Sequence, residues 1–130
     1  MNSILTISAD HLDEIFTHNV IEKLSEAVGY LDSLPDTEVS TSVCELSEEL
    51  YRLAKAAHKE FLSRTAILVE QGNIEIPRCA IISHTLNLTR PFILLAEVNG
   101  DEAISETINS LLGNLHIELV DAFNTRSRHA

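Results

Sequence analysis

Apolar residues recur at steps of three and four along four separate stretches of this chain, and that spacing commits it to packed helices. The first stripe runs through Leu12, Phe16, Val20, Leu24, Ala27, Leu31 and Leu34, and the second through Val39, Val43, Leu46, Leu50, Leu53 and Ala57. Cys79, Ile82, Leu86 and Leu88 begin a third, and Ile104, Ile108, Leu111, Leu115, Leu119, Ala122 and Phe123 form the last. An α-helix turns about 100° per residue, so each stripe stays on one face that can be buried. Trp is absent and aromatics make up 5% of the chain, so the core must come from Leu, Ile, Val and Ala, which suits interdigitated helices.

Boundary residues divide the stripes. Ser8 can cap a helix from about Ala9 to Leu34, where Pro35 stops it. Ile21 and Val28 widen its apolar face to about half the circumference, and Ile15 lies outside even that arc. A face so wide predicts contact with two neighbouring helices, or with one helix and a second subunit in a homodimer. Residues 35–40 read as a polar linker, and Ser42 with Glu45 forms a capping box for the second helix.

That helix reaches to about Gln71, with Gly72-Asn73 as its C-cap. Two alternatives stay open: a break near Thr65, or a small hairpin over Ile67–Ile76 turning at Gly72-Asn73. Pro77 suits the first turn of a third helix toward Val98, which Pro91 should kink or split near Arg90. Asn99-Gly100 ends it, and Asp101 caps a last helix to about Asn124, leaving residues 125–130 as a frayed tail. The expected fold is all-α: one domain over residues 1–130, an antiparallel bundle of four main helices. Strand is expected only around Ile4–Ile7 and Ile67–Ile76.

Charge is distributed unevenly. Residues 1–50 hold eleven acids and one base, Lys23, a net of −10; residues 51–100 sum to +2 and residues 101–130 to −3. Such a front repels nucleic acid and anionic membrane and attracts basic partners. The first residues, MNSILTISADH, lack the basic and apolar regions of a secretory signal, and the longest clean apolar run is Phe92 to Ala96. Cys44 and Cys79 stand apart from each other and from any C-x-x-C, so both read as reduced, packed thiols in a cytoplasmic protein.

Candidate chemistry is fragmentary. His18 and Glu22 are four apart and could share a divalent ion; His116 and Asp121 have the H-x4-D spacing of the last helix in hemerythrin-like di-iron bundles. The other members of that set are missing, because Leu62 follows His58 at the fourth position and Leu88 follows His84. No His has Glu three positions upstream, as carboxylate-bridged di-iron bundles require. His58 invites comparison with helical phosphotransfer domains. Its surroundings, Ala57-His58-Lys59-Glu60-Phe61-Leu62, put the lysine at the wrong offset, add no glycine and place Phe61 across the approach. There is no G-x-S-x-G elbow and no glycine-rich phosphate loop. The bases Arg52, Lys55, Lys59 and Arg64 are mixed with Glu49 and Glu60, which points to ion pairs along one helix. Arg64 falls on the second apolar stripe where an aliphatic residue was due; it is either solvated beyond the core or a device of specificity.

The expectation is therefore a small acidic non-enzymatic binding protein, an adaptor or regulator, with no cofactor and no metal. Its partner-binding residues are expected to be Asp10, Asp13, Glu14, Glu22 and Glu26 on the first helix, meeting a basic or nucleic-acid-binding protein. Direct nucleic-acid and membrane binding are not expected; self-association is. The main alternative is a DNA-mimic inhibitor whose carboxylates stand for phosphates, and a histidine/carboxylate metal or phosphotransfer bundle comes third.

Overall fold

A computed structural model of the chain describes residues 4–66 and 73–129, and the side chains of residues 4–65 and 74–123. Most described residues are helical. A strand β1 (Ile4–Ser8) leads into α1 (Ala9–Phe16), a π turn (Thr17–Ile21) and α2 (Glu22–Ser33); α3 (Thr41–Ala66) follows. Strand β2 (Asn73–Pro77) then leads into α4 (Arg78–Asn99), α5 (Glu102–Leu112) and α6 (Leu115–His129).

Several boundaries have the expected chemistry. Ser8 is extended (φ −70°, ψ 150°) and its side chain accepts a hydrogen bond from the His11 amide, so it caps α1. Leu34 turns extended ahead of Pro35 and ends α2. Gly100 takes a left-handed conformation (φ 85°) as its amide donates to Glu97, and Asp101 accepts from the Ile104 amide at the start of α5.

Other expectations are corrected. The cap of α3 is Ser40, whose hydroxyl accepts from the Val43 amide at 3.2 Å, and the helix already runs through Ser42. Val43 has no polar side chain to return the bond, so the Ser42–Glu45 capping box does not form. Pro91 lies inside α4, which runs unbroken from Arg78 to Asn99, so the helix is not split there. The missing proline N–H would have served the carbonyl of Asn87, a residue near the surface. The last helix is two helices. Gly113 donates to the Asn109 carbonyl at 2.7 Å, and the Asn114 carbonyl then accepts from Ile117 and Glu118 to start α6. A Cβ at Gly113 would come within 2.5 Å of the Asn109 carbonyl oxygen, so the turn needs glycine. Helical backbone is described as far as His129.

β1 and β2 pair antiparallel, with Leu5 opposite Ile76 and Ile7 opposite Ile74. Leu5, Ile74 and Ile76 are buried while Thr6 and Glu75 are exposed or nearly so, the period of two that one covered face requires. The strand at Asn73–Pro77 thus pairs with a segment some 70 residues away, not with a local hairpin partner. Residues 67–72, where the second helix was expected to continue to Gln71 and Gly72 to help cap it, lie outside the described residues.

α4 is the central element and touches β2, α2, α3, α5, α6 and the π turn. It has the length and apolarity of a membrane span, yet Ile81, Leu88, Phe92 and Ala96 are buried against its neighbours. The broad apolar arc of the first helix is buried within the chain: Leu12, Ile15, Phe16, Val20, Ile21, Leu24, Ala27 and Leu31 are each at most 8% exposed. A π turn holds one residue more than an α turn, so it rotates the downstream residues by about 100° and brings Ile15 and Ile21 toward one face. Of the same arc, Val28 and Leu34 stay half-buried.

α3 departs most from the expected stripe. Val43, Ser47, Ala54, His58 and Thr65 are buried, while Leu46 and Leu53 are 52% and 56% exposed. Arg64 is exposed and pairs with Glu60 at 3.1 Å, the solvated alternative of the two. The buried hydroxyls cost little, because Ser47, Thr65, Thr85 and Thr89 each donate to a carbonyl three or four residues back in their own helix. The Ser40 cap predicts that Ser40→Ala lowers stability by about 1 kcal/mol whereas Ser42→Ala changes it by a few tenths at most. Urea unfolding of the two variants checks this; the reverse order would restore the capping box.

Candidate functional site

Three polar side chains from three helices meet inside the fold. His58 on α3 and His84 on α4 are 5% and 7% exposed, and His58 Nδ1 lies 3.1 Å from His84 Nε2. His58 Nε2 lies 3.2 Å from Asp13 Oδ1 on α1, which also accepts from the Thr17 hydroxyl at 3.3 Å. An ionised Asp13 can only accept, so His58 carries its proton on Nε2 and presents a bare Nδ1. His84 must then donate from Nε2. The result is a directed chain, His84 to His58 to Asp13, whose carboxylate end is half exposed.

Aromatic rings enclose it. Phe61 stacks on His84 with centroids 3.9 Å apart and planes 7° from parallel. Phe16 leans against both imidazoles at 5.2 and 5.0 Å and against Phe123 at 6.2 Å. Three of the four phenylalanines thus gather around the pair. Burial lowers the His84 pKa to about 4, helped by the charge His58 would carry. Burial lowers that of His58 too, opposed by the hydrogen bond and charge of Asp13. Both rings are held neutral at pH 7.

This arrangement bears on each chemistry weighed from the sequence. His58 offers no free nitrogen to solvent, whereas phosphotransfer needs an exposed one, and Phe61 covers His84 instead of His58. The two imidazoles and Asp13 form a line, not a cup, and among the described residues no group of three or more His, Cys, Asp or Glu is arranged to hold a metal ion. His18 Nδ1 and Glu22 Oε1 lie 3.2 Å apart at hydrogen-bond distance, both side chains exposed. His116 lines a groove of about 550 Å³ between α4 and the α5–α6 turn, beside Arg90 and Asn109, and its Nδ1 is buried without a hydrogen-bond partner. Cys79 is exposed, not packed as expected; Cys44 is half-buried, and burial together with Asp32 raises its thiol pKa.

Asp10, Glu14, Glu22 and Glu26 are all exposed. Glu22 is paired with His18, and Glu26 with Lys23 at 3.3 Å. Asp13 differs from the other four, because its oxygen is committed to His58 and Thr17. One signal for this inner site was present in the sequence: His58 lay about 100° off the expected stripe, toward the face that α3 buries. Nothing in local spacing brought His84 to it. No family model, curated protein or solved structure matches this chain, so the site is read from its geometry.

Burial of His84 has a consequence for stability. The unfolded chain protonates at the ordinary value of 6.5 and the folded protein only near 4, so between them the unfolded state binds the extra proton. Stability should therefore fall as pH drops from 6.5 to about 4, by about 3 kcal/mol from His84 alone, and this contribution levels off below that. His84→Gln, which does not titrate, should flatten that part of the urea-midpoint profile. An unchanged slope in the folded variant would place the acid sensitivity elsewhere.

Proposed function

We propose that this protein is a non-enzymatic adaptor or regulator of the cytoplasm, an antiparallel helical bundle that offers the acidic outer face of its first helix to a basic protein. The observation that carries the reading is the placement of Asp10, Glu14, Glu22 and Glu26 at steps of four or eight, all exposed, opposite a largely buried apolar face. Without a correction, residues spaced by four drift about 40° per step around a helix. The π turn between Glu14 and Glu22 rotates the register back, which keeps the carboxylates in one ridge.

The ridge has little internal compensation. Lys23, the one base among the first fifty residues, is taken by Glu26. Nearby, a hydrogen bond that the protonated Glu48 carboxyl donates to Asp32, together with the Asp32 charge, raises the Glu48 pKa above its ordinary value, a sign of how crowded the negative charge is between α2 and α3. Like charges held this close oppose folding, and a basic partner relieves the repulsion while its approach is steered by the summed field. Asp13 supports the ridge from within by fixing His58, so its role in binding is secondary.

The test is Glu14→Lys, Glu22→Lys and Glu26→Lys combined, with helix content checked by circular dichroism. A partner captured from native cells by the wild type should associate with the folded triple variant at least about tenfold more slowly at low salt. Single changes should hardly register, since an exposed charge pair is worth about 0.2–1 kcal/mol. Equal association rates would leave the acidity a matter of solubility. A partner that gives up bound duplex DNA on taking this protein would favour the DNA-mimic form of the reading.

A further inference from the structure

The groove beside His116 gathers polar groups that the rest of the chain leaves unanswered. Leu86, Arg90, Ile93 and Leu94 lie on one face of α4, at helical steps of four, three and one. Asn109 on α5 and His116 in the first turn of α6 stand across from them. The space between is about 550 Å³, within the range of small-molecule sites.

Its polar groups are of one kind. Among the described residues no acid lines the groove, and Arg90 has no carboxylate partner, whereas Lys23, Arg52 and Arg64 each have one. An unpaired guanidinium stands out in a chain where 20 acids face 9 bases. His116 adds a directed donor. Its Nδ1 is enclosed without a hydrogen-bond partner, so a proton there would be a buried N–H with nothing to accept it. The neutral ring therefore carries its proton on Nε2, and the edge that it shows to the groove is the one bearing that N–H. The first turn of α6 contributes the positive end of a helix dipole on the same side.

These groups suit an anion, and the apolar residues narrow its kind. A guanidinium donates two parallel hydrogen bonds to one carboxylate. One fixed positive charge balances one negative charge; a phosphate monoester, at about −1.5 to −2, would stay undercompensated in the field of an acidic protein. Leu86, Ile93 and Leu94 offer hydrocarbon beside the charge, and Leu94 is 58% exposed until something covers it. We infer that this groove binds a small amphipathic monocarboxylate, its carboxylate accepting from Arg90 and His116 Nε2 and its hydrocarbon chain lying along Leu86, Ile93 and Leu94. The site uses no residue of the acidic ridge, and either assignment can fail without the other.

Octanoate is the probe, titrated into the full chain by calorimetry and followed by NMR of the imidazole nitrogens. One molecule should bind per chain with Kd below about 1 mM, and the His116 nitrogens should shift on binding. Octanamide lacks the charge, acetate lacks the chain and inorganic phosphate carries the wrong charge; each should bind at least about tenfold more weakly. Arg90→Gln should weaken octanoate at least about tenfold, and Arg90→Lys, which keeps the charge and loses the fork, should recover part of that loss. Arg90 is exposed, so both variants should keep their helix content. No octanoate binding, octanamide or phosphate bound as tightly as octanoate, unmoved His116 nitrogens, or binding indifferent to Arg90→Gln would each overturn the assignment.

Discussion

Three helices of this protein are held in register by one chain of two hydrogen bonds. Apolar contacts tolerate small slides and rotations, because one methyl group can replace another. The bonds from His84 to His58 and from His58 to Asp13 cannot, since a nitrogen moved by an ångström is no longer bonded. Each imidazole is buried beside phenylalanine, where an unpaired N–H costs about 1–3 kcal/mol. The relative positions of α1, α3 and α4 are therefore fixed by polar groups in an otherwise aliphatic interior. Neutrality makes this workable. No charge need be desolvated above the His84 titration range, and the one formal charge, on Asp13, sits at the end that reaches water.

The π turn is the local counterpart of that constraint. Phe16 ends α1 and packs against both imidazoles, and the π turn begins at the next residue. An α-helix continued from Thr17 would carry Ile21 and Leu24 away from the side on which Ile15 and Phe16 are buried. One added residue in the turn restores them, so the same distortion seats the aromatic cluster, closes the core below it and straightens the acidic ridge above it. A sequence whose apolar face looks too broad for one neighbour can be a sequence whose helix changes pitch.

How much of this fold could be read from the residues depends on how local each cause is. Caps and stops rest on one side chain and its own backbone, and Ser8, Pro35, Gly100 and Asp101 were legible for that reason. The stripes of the first and last helices were legible because Leu, Ile and Val there alternate cleanly with charge. The buried faces of α3 and α4 were not. Hydroxyls and imidazoles can be buried once their partners are present, and the partner of His58 lies 26 residues away. Periodicity assigned the apolar stripe of α3 to the core, when the core had taken Ser47, Ala54 and His58. The pairing of β1 with β2 was hidden likewise, since two five-residue strands are recognised only through each other.

The exchange on α3 and α4 has a cost that the composition helps to offset. A helix that buries serine, threonine and histidine while showing leucine to solvent forgoes part of its hydrophobic stabilisation, at about 25 cal/mol per Å² left wet. It also leaves a surface prone to indiscriminate association. A net charge of −11 counters the second effect, because copies approaching at random meet repulsion from the acidic front. Repulsion of that kind falls off with distance and screening, and it is weakest where a face carries both signs. The α3–α4 face carries both signs within itself, with Glu49 beside Arg52 and Glu60 beside Arg64. Acidity elsewhere on the molecule thus discriminates against unselective contacts of the apolar side chains that α3 and α4 show to solvent.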